Sequence, residues 1–133
     1  MTGSPRVLLV DNEPELLHAL IVRLSASGFV CEAAENGAEA LEHIDHARPD
    51  LLVADLLMPK MDGYTLLQQL RAHPQHATIP VIVLTAVPAP LHAPRADALQ
   101  GAQVIQKPFD SAALVMAVRA MCATTSAGGL VHG

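Results

Sequence analysis

Five short apolar runs constrain this chain more than any other feature of its sequence: Val7 to Val10, Phe29 to Ala33, Leu51 to Ala54, Val81 to Leu84 and Gln103 to Ile105. Each is too short for a helix, and three are nearly apolar throughout. Strands buried on both faces of a parallel sheet read this way. Between them lie segments with helical spacing. The first places Leu16, Leu17, Leu20, Ile21 and Leu24 on one face, carries Pro14 in its first turn and stops at Gly28. The second opens on Asn36 and Glu39 as a capping box and then buries Ala40, Leu41 and Ile44. A third follows Asp62, its expected cap, with Leu66, Leu67 and Leu70; the last starts at Asp110, a natural N-cap, and runs through Leu114, Val115, Val118 and Met121. The pattern is (βα)₅, at about 25 residues per unit, and predicts a single α/β domain with helices on both faces of a parallel sheet.

One unit departs from this rhythm. Pro88, Pro90 and Pro94 fall where the fourth helix is due, and prolines so close together cannot sit inside a regular helix without losing hydrogen bonds. An extended or irregular stretch is expected there, followed by a short helix over about Arg95 to Gln100. The domain is expected to span residues 1–123, with 124–133 a flexible tail of small residues.

Composition narrows the function. Hydrophobic residues make up 51% of the 133, enough for a sizeable core and too many for wholesale disorder. The net charge of −5 has the wrong sign for tracking a nucleic-acid backbone, and 2% aromatics leave no base-stacking platform. No apolar run reaches the length of a membrane span, and the opening MTGSPR has no signal-peptide character. Cys31 and Cys122 make no disulfide framework, so a cytoplasmic setting is expected.

Ligands of open α/β sheets bind beyond the carboxyl ends of the strands. There this chain carries Asp11, Asn12 and Glu13 after the first strand, Asp55 after the third, Thr85 after the fourth, and Lys107 and Pro108 after the fifth. Two adjacent carboxylates repel, so an unliganded site would hold one protonated or recruit a cation. Asp and Asn oxygens suit Mg²⁺, and the absence of thiolate or imidazole nearby in sequence argues against zinc. A metal, an ammonium and a hydroxyl around a carboxylate would neutralise the oxygens of a transferring phosphoryl group. Lys107 is one of only two lysines in the chain, so its strand-end position carries weight.

With these residues in place, the chain resembles the receiver domains of two-component response regulators. The runs VLLVDNEPELLHAL (7–20), PDLLVADLLMPKMDG (49–63), PVIVLTA (80–86) and GAQVIQKPF (101–109) carry the resemblance, in the right order and spacing. It implies a flavodoxin-like, doubly wound five-stranded sheet of order 2-1-3-4-5. It also implies that Asp55 accepts a phosphoryl group from a histidine kinase or histidine phosphotransfer protein. Asp11 and Asn12 match the acidic pair that holds Mg²⁺ together with Asp55 and the backbone carbonyl of Leu57. Thr85 matches the hydroxyl that moves to the phosphoryl group, Ala86 the small residue beside it, and Lys107 the lysine that pairs with the phosphoryl oxygens. Pro108 matches the proline usually preceded by a cis bond. The partners implied are the kinase and a downstream protein target or effector domain, with homodimerisation a further expectation.

The departures from the family pattern are specific. Asn12 replaces a carboxylate, so weaker Mg²⁺ binding is expected, with Glu13 as a substitute through water or else turned to solvent. Val104 stands where an aromatic usually swings inward with the threonine, and the prolines fall on a surface the family uses for dimerisation or output. The leading expectation is a phosphorylation-dependent switch, a signalling protein and not a turnover enzyme. It would lose its phosphoryl group slowly if Leu57 and Val87 shield the site. The chain is either a stand-alone receiver or an excised domain. A phosphorylation-independent interaction module with the same fold is the alternative. An aspartate-nucleophile phosphatase is disfavoured because Leu57 stands where its general acid would be, and an FMN binder because Asp11-Asn12-Glu13 would repel the phosphate. His43 with His46, and His73 with His76, are three apart and read as solvated helix faces; the methionines read as fillers of core gaps.

Overall fold

The computed structural model describes residues 3–132. Five parallel strands, β1 (Arg6–Val10), β2 (Val30–Ala34), β3 (Leu51–Asp55), β4 (Val81–Thr85) and β5 (Gln103–Gln106), form one sheet in the order β2-β1-β3-β4-β5. The helices are α1 (Pro14–Ala26), α2 (Gly37–His46), α3 (Gly63–Ala72) and α4 (Ser111–His132). Helices on both faces of a parallel sheet are what the apolar pattern predicts, and the strand order is the one the family resemblance implies. No helix among the described residues is long and apolar enough to cross a membrane.

The alternation of side chains across a pleated strand explains why the runs had to be apolar throughout. Leu8, Val10, Leu52, Ala54, Val81 and Val83 point to one face, where α2 and α3 cover them with Ile44, Leu66, Leu67 and Leu70. Val7, Leu9, Leu51, Val53, Ile82 and Leu84 point to the other, under Leu20 and Leu24 of α1 and Leu114 and Val118 of α4. Each such side chain contributes roughly 1.5–3 kcal/mol when fully buried. The central strands β3 and β4 are buried at every position. The edge strands are less apolar because each is partly uncovered, and β5 exposes Gln103, Val104 and Gln106.

Local signals set the helix starts. Asn36 accepts from the Glu39 amide at 2.9 Å, while the Glu39 carboxylate reaches back to the Glu35 amide, one residue earlier than in a standard capping box. Asp62 caps α3 by accepting from the Thr65 amide at 2.8 Å, and Asp110 accepts from the Ala112 amide at 2.9 Å. Gly63 has to be glycine. A Cβ there would collide with the Asp55 carbonyl oxygen and lie 2.7 Å from Leu56 Cα, so the first turn of α3 is seated on the end of β3.

Between β4 and β5 the expected irregular stretch takes the form of 3₁₀ turns from Ala89 to Leu99, broken at Arg95 (φ −129°, ψ 22°). Tight i→i+3 turns tolerate proline near their starts, where an N–H would have no partner in any case. The backbone of α4 is helical as far as His132. That helix is Ala-rich, with no proline to stop it. His73 and His76 do not share a solvated helix face. They follow α3 and stack at 4.0 Å, and His76 is buried with Nε2 3.2 Å from Asp45. Met58 and Met61 do pack against the core, but Met116 is 72% exposed.

Asp62 also pairs with Arg95 at 2.8 Å. Burial alone would raise its carboxyl pKa, but the hydrogen bonds from Thr65 and Arg95 outweigh burial and hold it below the ordinary 3.8. A depressed carboxyl stabilises the fold above its unfolded pKa, and that contribution is lost as pH falls through the folded value. Asp62→Ala is therefore expected to lower unfolding stability by about 1 kcal/mol at neutral pH. In urea titrations the gap from wild type should narrow progressively below pH 3.8.

Candidate functional site

The carboxyl ends of β1, β3 and β4 and the loop after β5 meet at one rim, and there the sheet topology gathers charges that lie far apart in sequence. Asp11 follows β1 and is 3% exposed; Asp55 ends β3 and is 5% exposed; Thr85 ends β4 and is fully buried. Lys107 enters from beyond β5. Its ammonium lies 3.0 Å from Asp11 Oδ2, 3.0 Å from Glu13 Oε1 and 3.3 Å from Asp55 Oδ2.

Backbone amides orient both buried carboxylates. Asp55 Oδ1 accepts from the amides of Leu56 at 2.7 Å and Leu57 at 3.3 Å, which leaves Oδ2 facing Lys107. Asp11 Oδ1 accepts from the Glu13 amide at 2.9 Å, folding the loop so that the Glu13 carboxylate returns to the same lysine. Thr85 Oγ1 accepts from the Val87 amide at 3.1 Å, and the Thr85 carbonyl accepts from the Lys107 amide at 2.7 Å, tying β4 to the lysine's backbone. The Lys107–Pro108 peptide bond is cis.

These contacts perturb the site electrostatically. Burial pushes the Asp11 carboxyl above its ordinary pKa, against the opposing pull of Lys107 and the Glu13 amide. Burial also works against the charge on Lys107. Its hydrogen bonds to Glu13 and Asp11 and the charges of Asp11 and Asp55 outweigh that cost and hold its pKa above the ordinary value. One ammonium cannot balance three carboxylates. Asp11, Glu13 and Asp55 each offer an oxygen, and these oxygens lie within 4.8 Å of one another. Such an all-oxygen, anionic donor set fits a hard divalent cation such as Mg²⁺.

The expected residues divide accordingly. Asp11, Asp55 and Lys107 come together in direct contact, and Thr85 is at the adjoining strand end. Leu57 enters through its backbone, but its side chain is 55% exposed, which weakens its part in the expected shielding from water. Asn12 is exposed in the loop between Asp11 and Glu13. Glu13 is exposed as well, but its carboxylate reaches Lys107 at 3.0 Å. Beside the carboxylates, a cleft of about 550 Å³ opens between α1 and the loop after β5, lined by Leu16, Leu20, Lys107, Pro108 and Phe109 among others.

A doubly wound sheet with a carboxylate pair, a bridging lysine and a buried hydroxyl at one rim defines a class of protein, and comparison with known proteins gives the same answer. The family model of the response regulator receiver domain matches residues 7–119. Response regulator Rre1 of Synechocystis sp. is 35% identical over 127 residues, covering 91% of this chain and 53% of the relative. The DNA-binding dual master transcriptional regulator RpaA of the same organism is 32% identical, covering 91% of this chain and 50% of the relative. The chain thus spans about half the length of these curated relatives. Among solved structures, the signal receiver domain of a signal transduction histidine kinase from Syntrophus aciditrophicus superposes with a TM-score of 0.85 at 33% identity, covering 91% and 92% of the two chains. The chemotaxis response regulator CheY4 of Vibrio cholerae gives 0.80 at 27%, covering 90% of this chain and 99% of its own. The chain belongs to the response regulator receiver domain family.

The raised Asp11 pKa makes a prediction. A carboxyl whose folded pKa is raised stabilises the fold below its unfolded pKa, and that contribution is lost as pH rises through the folded value. In the presence of chelator, wild-type stability should therefore decline above pH 3.8 along a segment that Asp11→Asn flattens. Urea unfolding across pH 3.5 to 7 measures this directly.

Proposed function

We propose that this receiver domain is a phosphorylation-dependent switch with Asp55 as the phosphoacceptor. The observation that carries the reading is the Asp55 carboxylate: backbone amides hold Oδ1, while Oδ2 is presented to Lys107. Oδ2 attacks the phosphorus of a phosphohistidine, a P–O bond forms, the P–N bond breaks and its electron pair returns to the imidazole. Lys107 stays beside the transferred group and balances its oxygens, and the buried Thr85 hydroxyl is the nearby donor that turns toward it. Asp11, Asn12, Asp55 and the Leu57 carbonyl, with Glu13 alongside, would hold Mg²⁺, whose charge helps neutralise the phosphoryl oxygens when it is bound. The added negative charge then shifts the domain between two arrangements.

The domain acts as a signalling switch and not as a turnover enzyme. Its phosphoryl donor is a histidine kinase or histidine phosphotransfer protein, and the apolar cleft beside Lys107 is suited to a helix of that donor. Its output passes to a downstream protein or effector domain. Asn12 supplies an amide where a second carboxylate would bind more strongly, so Mg²⁺ affinity should be modest. A magnesium titration giving submicromolar affinity for wild type, or no tightening in Asn12→Asp, contradicts this.

Intact mass after incubation with acetyl phosphate and Mg²⁺ tests the main reading. One added phosphoryl mass is expected in wild type, none in Asp55→Asn, and none with EDTA. Val104, 41% exposed on β5, favours one other reading, an interaction module that works without phosphorylation. The absence of both an adduct and beryllofluoride binding would select it.

A further inference from the structure

The segment Ala89–Leu99 is docked on α3 by a group of contacts that the phosphoacceptor chemistry does not use. Tyr64 and His92, both 7% exposed, are hydrogen-bonded between the phenol oxygen and Nδ1 at 2.7 Å. Arg95 lies over the Tyr64 ring, with Cζ 4.5 Å from the centroid. The same guanidinium donates to Asp62 Oδ2 at 2.8 Å and Thr65 Oγ1 at 3.1 Å. The cap of α3 and two residues in its first turn are thus engaged by two residues of the proline-rich segment.

Both ends of this contact lead back to the site. On one side, α3 is anchored to β3: the Gly63 amide donates to the Leu56 carbonyl at 2.9 Å, and Gly63 packs on the Asp55 carbonyl. Tyr64 is the next residue, so its place is set by the chain that carries the phosphoacceptor. On the other side, His92 is seven residues beyond Thr85, whose hydroxyl accepts from the Val87 amide. Between them, Pro88 and Pro90 fix two φ angles and remove two donors, which narrows the ways this segment can rearrange. The edge strand offers no second route of the aromatic kind, because Val104 has no ring to swing.

Resting on the reading of Asp55 as phosphoacceptor, we propose that Tyr64 and His92 are positioning residues for Thr85, forming a latch that holds segment 85–95 in its resting arrangement and must yield when the Thr85 hydroxyl moves to a group on Asp55. The bond itself survives either protonation state of His92, since a phenol hydroxyl can donate to Nδ1 or accept from it. Arg95 strengthens the latch through the Tyr64 face and the Asp62 cap.

Hydrogen exchange over residues 87–100, with and without beryllofluoride as the phosphoryl mimic, tests the proposal. In wild type the segment should change its exchange on binding. Tyr64→Phe keeps the ring and removes the hydroxyl, leaving Nδ1 unpaired in the latched state alone. It should exchange roughly fivefold faster or more in the resting state and bind beryllofluoride tighter by a similar factor. His92→Ala should do the same and His92→Gln, which restores a polar partner, should return both values toward wild type. A purely structural contact would speed exchange without tightening binding, and that result overturns the latch. Unchanged exchange and affinity in Tyr64→Phe overturn it too. If wild type takes neither beryllofluoride nor an acetyl phosphate adduct, the phosphoacceptor reading fails first and removes the latch's role with it. Should Tyr64→Phe fail to fold, Arg95→Gln at the partly exposed end of the latch supplies the same pair of measurements.

Discussion

Carboxylates held together at the rim of an apolar sheet repel one another and lose hydration, and the structure around the site answers that cost. Lys107 is the main answer, reaching from the loop beyond β5 to acceptors after β1 and at the end of β3. It does so across β3 and β4, which lie between β1 and β5, with its own backbone tied to the Thr85 carbonyl. Amides at Leu56, Leu57 and Glu13 supply further positive ends of dipoles. Even so, burial holds the Asp11 carboxyl above its ordinary pKa. A site in that condition gains from a divalent cation and from a ligand whose oxygens can share the lysine.

That electrostatic tension is confined to one rim because the rest of the domain is apolar on both faces of the sheet. The two core layers meet only through the strands, so anything that moves one strand end is felt on both sides. α3 is anchored on the end of β3, since Gly63 allows its first turn to rest on the backbone of Asp55 and Leu56. The same turn and its cap carry Asp62, Tyr64 and Thr65, which hold the segment between β4 and β5. Leu91 in this segment and Val104 on the edge strand β5 are both exposed.

Much of this was legible in the chain. The apolar runs, each too short for a helix, specified a parallel sheet covered on both faces, and its central strands β3 and β4 are buried at every position. Asn36, Asp62 and Asp110 announced their helices, because a side-chain oxygen at the cap satisfies amides that the helix itself leaves free. The strand-end rule drew Asp11, Asp55, Thr85 and Lys107 together before any distance was known, since a parallel topology leaves its carboxyl ends open on one side.

What only the tertiary structure decided concerns which side chains reach which partners once the elements pack. Nothing in the sequence around Glu13 says that its carboxylate returns to Lys107, 94 residues away, while Asn12 beside it is exposed. His76 reads as a solvated residue until the end of α2 brings Asp45 to it and stacks His73 against it. Tyr64 and His92 carry no local signal of each other, 28 residues apart, one in a helix and one among prolines. Hydrophobic period and capping are encoded within a few residues, so the chain by itself fixes its elements and the rim on which its charges gather. Long-range polar contacts depend on the angle and depth at which those elements pack, so the lysine bridge to Glu13 and the tyrosine–histidine contact exist only in the folded domain.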